Sequence, residues 1–219
     1  DDTLGFFLAS PGLEASSAVH SGALLPAVPK DDTPDLFIYD PLDTHPGQVE
    51  QVWRPDRLLD ETAVFRLRED GLVYHSAPFS EALEVTGFPE LDLWLELDVP
   101  DTDFQVSLYE VLLDGTSILL SEDQMRARYR ESLREAQLVE PGVVNEYRFR
   151  SFQFFSRRIS EGSRLRLLVT SPNSIHREKN YNSGGVVARE SGSDARTAHI
   201  RLYHDSQRPS QLRLPVVRR

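Results

Sequence analysis

Hydrophobic and polar residues alternate with a period of two in much of the chain, most clearly in LDLWLELD at residues 91–98. Leucines stand at every odd position there, and Asp92, Trp94, Glu96 and Asp98 stand between them. Because successive side chains of a β-strand point to opposite faces, this pattern predicts a strand with one face in the core. A slip of one residue would bury the acids, so we expect the register to be strongly fixed.

Similar strand-like runs follow one another from residue 62 to the end of the chain. They are separated by turn signals, and the Asp-Gly pairs at 70–71 and 114–115 are typical of β-hairpins. A helix is a poor fit even to residues 121–138, because the aliphatic residues there are too sparse for a helix stripe. We predict a strand at 125–130 and a loop at 131–139. The whole pattern predicts an all-β fold, an antiparallel β-sandwich.

The first 60 residues contain many turn-forming residues. Strand candidates at 6–10 (FFLAS) and 36–40 (LFIYD) are separated by several prolines, which break any long element. No sharp change of composition marks a linker. We therefore predict a single domain over residues 1–219, with a turn-rich wrapping segment at 1–60 and the sandwich core at 61–219.

Charge and cysteine content narrow the range of functions. The net charge of −11 argues against nucleic-acid binding, which needs clustered Lys and Arg, and against binding to an anionic membrane. The absence of cysteine excludes disulfides and thiolate metal sites. It leaves the compartment open, with the cytoplasm as the expectation. The chain begins with Asp1 rather than methionine, which suggests a processed chain or a piece of a longer protein.

The sequence contains no recognisable catalytic motif. Ser117, Ser160 and Ser183 each have a glycine two residues away on one side only, so none forms a G-x-S-x-G nucleophile turn. The histidines show no H-E-x-x-H pattern. The acids that follow residue 98 do not match a calcium loop, and we assign Asp101 and Asp103 to an Asx-turn. We predict no catalytic residue, no metal site and no cofactor in this chain.

Six stretches occur in an order and at a spacing that resemble a known family. They are FIYDP (37–41), LEVTG (83–87), DTDF (101–104), MRARYR (125–130), NYNSGGVVARE (180–190) and RPSQLRLPVV (208–217). Together they resemble the C-terminal jelly-roll domain of the cocaine esterase and X-Pro dipeptidyl peptidase family of α/β-hydrolases, and the cocaine-esterase type most of all. Two places differ from the family: Gly162-Ser163-Arg164 replaces Gly-His-Arg, and a lone Gly47 replaces a Gly-Gly pair.

The resemblance implies a jelly roll like the galactose-binding domains, packed on an α/β-hydrolase domain of the same parent chain. The family's catalytic Ser, Asp and His lie in that upstream domain, which is absent here. The parent is then a serine hydrolase acting on esters or X-Pro peptides, whereas this chain alone hydrolyses nothing. Apolar residues after the YDP strand reach toward the substrate cleft in cocaine-esterase-like enzymes, and Val52 and Trp53 are the nearest equivalents.

Trp94 stands on the polar side of its strand. Either a loop of the same chain covers it there, or another domain or subunit docks on it.

Two other functions remain open. A free-standing module could bind carbohydrate or another ligand through Trp53, Trp94 and Tyr39. Alternatively, the chain could form a homodimer through a sheet edge or the face that carries Trp94.

Overall fold

The computed structural model describes residues 2–12, 15–17, 20–30, 33–44, 70–173 and 177–217. This part of the chain contains thirteen strands and no α-helix. The strands are β1 (Asp2–Ala9), β2 (Gly22–Leu25), β3 (Asp35–Tyr39), β4 (Gly71–Ser76), β5 (Leu83–Gly87), β6 (Glu90–Leu97), β7 (Asp103–Val111), β8 (Ser117–Arg126), β9 (Val144–Phe149), β10 (Phe155–Ile159), β11 (Arg164–Thr170), β12 (Ala198–Tyr203) and β13 (Gln211–Val217). Short 3₁₀ turns occupy Ala127–Tyr129, Val187–Arg189 and Gly192–Asp194. The predicted all-β class is confirmed.

Hydrogen bonds join the strands in the order β3-β12-β6-β13-β1-β2-β4-β11-β7-β8, with β9 on β6 and with β5 between β13 and β10. The ladders of the described residues are antiparallel except for that between β2 and β4, which is parallel. Strands distant in this order face each other: the rings of Phe104 (β7) and Tyr147 (β9) meet edge to face at 5.3 Å. This arrangement is consistent with a β-sandwich, and the jelly-roll connectivity stays a prediction.

The predicted register of β6 is confirmed. Its four leucines, Leu91, Leu93, Leu95 and Leu97, are all fully buried. They pack in one core cluster with apolar side chains of β4, β7, β9, β11 and β12. Burying one leucine contributes about 1.5–3 kcal/mol, so this row alone fixes the orientation of the strand.

The N-terminal segment contributes more strand than the sequence predicts. Its first strand, β1, lies between β13 and β2 inside the sheet. The sequence does not predict β2, because a run of four residues shows no clear hydrophobic period. It packs closely: a Cβ on Gly22 would lie 2.3 Å from the ring of Tyr74.

The turn predictions have mixed outcomes. Asp114-Gly115 does join β7 to β8, with Gly115 at φ +87° as a tight turn requires. The strand predicted at 125–130 is too long, because β8 ends at Arg126 and a 3₁₀ turn follows. The loop at 131–139 is confirmed.

Two predictions cannot be compared with the structure. The strand that would precede Asp70 lies outside the described residues, as do Val52 and Trp53. Within the described ranges, no helix is long and apolar enough to cross a membrane.

We expect Leu93→Ala to lower the free energy of unfolding by about 2–5 kcal/mol, because it opens a cavity in the core. The matched control is Leu133→Ala, since Leu133 is 84% exposed and should change stability by less than about 0.5 kcal/mol. Urea denaturation of the two variants measures both values. Equal losses in the two variants would contradict the assigned register.

Candidate functional site

A cluster of charged and amide side chains joins three separate segments of the chain. We call it the loop-anchoring cluster, and its members are Asp101, Asp103, Arg126, Arg128 and Asn180. The two aspartates lie at and just before the start of β7, and the two arginines lie at the end of β8 and in the following 3₁₀ turn. Asn180 comes from the loop that precedes Val187–Arg189. The cluster therefore ties that loop to the β7–β8 pair.

Asp101 is the buried centre of the loop-anchoring cluster. Its carboxylate accepts hydrogen bonds from Nε of Arg128 (2.7 Å), from the backbone N–H of Arg128 (2.8 Å) and from the side-chain amide of Asn180 (2.7 Å). Burial raises the pKa of Asp101, and these three hydrogen bonds oppose the rise. The predicted Asx-turn is wrong for Asp101, because its backbone partner stands 27 residues further along the chain.

Asp103 is the second carboxylate of the cluster. Arg126 donates to both of its oxygens, through Nε at 2.8 Å and through a terminal nitrogen at 3.0 Å. The hydrogen bond to Asp103 raises the pKa of Arg126. The amide of Asn180 also donates to Asp103, at 2.9 Å, and so bridges the two carboxylates. Both acids are thus occupied by donors from the protein itself.

The loop over residues 180–190 is held closed on this cluster. The carboxylate of Glu190 accepts hydrogen bonds from the backbone N–H of Gly185 (3.0 Å) and from the hydroxyl of Ser183. Arg128 donates to the carbonyl of Gly185 at 2.8 Å. Asn182 adopts φ +64°, a left-handed conformation that asparagine tolerates. The tight turn predicted for this stretch is therefore present.

Residues that precede this loop contact β3 and the segment after it. Lys179 donates to the carbonyl of Pro41 at 2.8 Å, and the side-chain amide of Asn173 donates to the carbonyl of Asp43. The hydroxyl of Tyr39 donates to the carbonyl of Pro172 at 3.3 Å. These contacts fix residues 40–43, from which the chain continues into 45–69, outside the described residues.

One serine does contact a histidine, which sequence reasoning missed because Ser21 and His75 are 54 residues apart. The hydroxyl of Ser21 lies 2.9 Å from Nδ1 of His75, and Arg166 donates to Nε2 at 2.8 Å. Because Nε2 is the acceptor, Nδ1 carries the ring proton and donates it to the serine. A general base must do the reverse, so the pair does not activate the hydroxyl. Burial, followed by the charge of Arg166, lowers the pKa of His75 to about 4.

A second histidine lies inside the core. Nε2 of His204 is 3.0 Å from the carboxylate of Asp35, to which the hydroxyl of Tyr74 donates at 2.7 Å. All three side chains are buried, so a substrate has no access to them. Among the described residues, no group of three or more His, Cys, Asp or Glu side chains could hold a metal ion.

Trp94 lies on the outer face of β6 and is partly buried. It stands opposite Tyr203 of β12. Arg208 stacks on the ring of Tyr203 at 3.8 Å, and the hydroxyl of Tyr203 donates to Glu96 at 2.5 Å. Tyr39, by contrast, is buried in the core at 3% exposure. Trp94 and Tyr39 therefore do not form one aromatic surface.

The fold and the roles of its polar side chains define an all-β domain in which the charged clusters hold loops together. Residues 5–213 match the family described as the X-Pro dipeptidyl-peptidase C-terminal non-catalytic domain, and the chain belongs to this family. It is 30% identical over 216 residues to cocaine esterase of Rhodococcus sp. (strain MB1 Bresler), covering 98% of this chain and 37% of that protein.

Two solved structures share the fold. An aminopeptidase from a marine sediment archaeon (Thaumarchaeota archaeon) superimposes with a TM-score of 0.82 at 21% identity, over 100% of this chain and 37% of that one. An α-amino acid ester hydrolase superimposes with a TM-score of 0.76 at 20% identity, over 98% of this chain and 36% of that one. The chain thus spans little more than a third of each relative.

We expect Asp101→Asn to lower the free energy of unfolding by on the order of 3 kcal/mol, because it leaves a buried arginine without its counter-charge. Asp98→Asn is the matched control, since Asp98 is 44% exposed and pairs with the exposed His199. Its effect should stay below about 1 kcal/mol. Thermal and urea unfolding of both variants measure the difference. A loss for Asp101→Asn no larger than for the control would contradict a structural role of the cluster.

The lowered pKa of His75 makes stability depend on pH. Unfolded chains bind a proton at His75 below the ordinary pKa of 6.5, whereas the folded chain does so only near pH 4. Stability should therefore fall as the pH drops from 6.5 to 4, by about 1–3 kcal/mol after solvent screening. His75→Gln, which keeps an acceptor for Arg166, should flatten this slope relative to wild type. Leu133→Ala, which changes no ionisable group, should keep the slope of wild type.

Equilibrium urea unfolding at a series of pH values measures the slope for each chain. Identical slopes for wild type and His75→Gln would show that His75 takes up its proton equally in the folded and the unfolded states.

Proposed function

We propose that this chain is the non-catalytic C-terminal β-sandwich of a serine hydrolase that acts on esters or X-Pro peptides. It packs on an α/β-hydrolase domain and forms one wall of the substrate cleft. The observation that carries the proposal is the family match over residues 5–213, together with the 37% of cocaine esterase that the chain covers. The remaining length of such a relative leaves room for a catalytic domain.

The contacts that hold the segment after β3 support a role in shaping the cleft. A wall contributes to specificity only when its side chains are held close to one position, and supporting contacts provide that precision. Contacts from Lys179 and Asn173 fix residues 40–43, from which the chain continues toward Val52 and Trp53. We assign Val52 and Trp53 to the lining of the cleft, in line with the place of the equivalent loop in the family.

The face around Trp94 is a second proposed contact surface. Its aromatic rings and the stacked Arg208 are side chains that interfaces favour, and Glu96 and Arg201 form an ion pair at 2.6 Å beside them. Trp94 is the side chain that we assign to contact with the catalytic domain or with a second copy of the chain.

A carbohydrate-binding module is the alternative. It is weakened by Tyr39, one of its three aromatic candidates, because that side chain is buried in the core. A domain of a serine hydrolase therefore accounts for the positions of these aromatic side chains better than a carbohydrate-binding module does.

Serine labelling tests the proposed function. A phosphonate probe should label one serine of the parent enzyme, and that serine should lie upstream of this chain. The isolated chain should neither take up the probe nor hydrolyse an aryl ester. Stoichiometric labelling of any serine within residues 1–219 would overturn the proposal.

The cleft assignment has its own test in the parent enzyme. Trp53→Ala should lower kcat/KM for an ester with a bulky acyl group by roughly 10–200-fold, the range that hydrophobic pocket contacts give. An acetyl ester should be affected much less, because its acyl group does not reach the wall. Leu133→Ala, on the exposed loop at 131–139, is the control. Equal losses for both esters would remove Trp53 from the acyl site.

A further inference from the structure

Two phenylalanines form an exposed aromatic pair in the connections between neighbouring strands. The rings of Phe88 and Phe154 meet edge to face with centroids 5.5 Å apart. Phe88 is 60% exposed and Phe154 is 59% exposed. We call this pair the aromatic corner. Large apolar rings placed together in solvent are typical of a surface that another molecule covers.

Phe88 lies in the short connection between β5 and β6, and this connection holds extra residues relative to the facing part of β13. Val85 of β5 pairs with Val216 of β13, and Glu90 of β6 pairs with Arg213. Residues 86–89 therefore stand opposite residues 214–215 alone. This stretch of β13 contains Pro215, which has no N–H to give to a ladder. As in a β-bulge, the extra residues leave the plane of the sheet, and Phe88 is one of them.

Phe154 lies in the connection between β9 and β10, which faces the same place. Phe149 of β9 pairs with Leu91, and Phe155 of β10 pairs with Gly87. Residues 150–154 therefore stand opposite residues 88–90. The breaks in the two neighbouring strands coincide, and each of them exposes one aromatic ring.

The backbone around Phe154 is firmly held. The N–H of Ser151 donates to Asp123 at 2.7 Å, and the hydroxyl of Ser121 donates to the carbonyl of Gln153 at 2.7 Å. Phe152, two residues before Phe154, is buried at 2% exposure. Aromatic side chains on a rigid backbone lose little entropy when a partner covers them, which is the property of binding hot spots.

The position of β1 indicates which partner covers the corner. Thr3 of β1 pairs with Pro215, and Pro215 lies 2.8 Å from where a Cβ of Gly87 would stand. The first residues of β1 are thus one strand away from the bulge, or roughly 5–10 Å. A domain that precedes this one in a longer polypeptide joins it there. The 37% coverage of cocaine esterase shows how much additional sequence such a relative has.

We propose that the aromatic corner is the docking point for the catalytic domain of the parent enzyme, which receives Phe88 and Phe154 in an apolar pocket. This inference rests on the proposed function and extends it, because it names the surface of the sandwich that the catalytic domain covers. The link through β1 keeps that domain beside the corner, so a small apolar contact is enough to hold the two together.

Hydroxyl-radical footprinting of the unaltered parent enzyme tests the proposal directly. Both phenylalanines are about 60% exposed without a partner and should react readily if uncovered. We expect their oxidation to be suppressed about fivefold or more relative to Leu133, after correction for intrinsic side-chain reactivity, because a covered hot spot excludes water. Reaction of Phe88 and Phe154 at the rate set by their exposure would overturn the proposal.

A variant of the parent enzyme supplies the second test. Phe88→Ser combined with Phe154→Ser should raise the rate of proteolytic cleavage between the domains by about tenfold or more, as expected for removal of a hot spot. Leu133→Ser is the matched control and should leave that rate unchanged. Amide exchange at Leu93 reports whether the sandwich itself stays folded. An unchanged cleavage rate in a folded double variant would refute the docking role.

Two further outcomes separate this inference from its alternatives. Light scattering that shows a wild-type dimer and a monomeric double variant, with unchanged interdomain cleavage, would assign the corner to a second copy and overturn the proposal. If the probe labels an upstream serine and Phe88 and Phe154 react freely, the docking inference is wrong and the proposed function stands. Protected phenylalanines without any labelled serine would refute the serine-hydrolase assignment and place a different domain on the corner.

Discussion

The alternation along β6 is the constraint on which most of this sandwich depends. β6 pairs with β9, β12 and β13, so a slip of one residue would disturb three ladders at once. The inner leucines fix the register, and the outer positions then receive their partners. Asp92 accepts a hydrogen bond from Arg213 at 2.6 Å and another from Arg150, and Glu96 pairs with Arg201. The acids of the opening motif are thus neutralised by neighbouring strands, a consequence of the hydrophobic pattern rather than a sign of chemistry.

The loop-anchoring cluster follows the same principle at higher burial. A carboxylate that is fully buried, as Asp101 is, is tolerated only when its oxygens are supplied with donors. Those donors come from the stretches at 125–130 and 180–190, so three of the six family-like stretches meet at one point. Their residue types are linked physically: changing one leaves another buried and unpaired. The stretch at 37–41 joins them through Lys179, which binds the carbonyl of Pro41.

The sequence could predict what depends on local order and could not predict what depends on distant partners. The buried row of β6 and the turn at Asp114-Gly115 follow from a period of two and from turn chemistry. The partner of Asp101 does not, because no local signal tells an Asx-turn from a contact 27 residues away. The contact between Ser21 and His75 and the coinciding breaks beside Phe88 arise only when strands from distant parts of the chain pair. The family resemblance supplied the class of protein, yet it gave no geometry for these contacts.

The small size of the aromatic corner agrees with a partner on the same polypeptide. Two free proteins need about 800 Å² from each partner for a stable and specific interface, far more than two phenylalanine rings provide. A tethered domain is present at an effective concentration that reaches the millimolar range for short linkers, so a weak contact is sufficient to keep it docked. The tether supplies proximity and the rigid pair supplies orientation. On the outer face of β6, the ion pairs of Asp92 with Arg213 and of Glu96 with Arg201 are already complete within the sandwich. A domain that docks at the corner can therefore also contact Trp94 without leaving these charges unpaired.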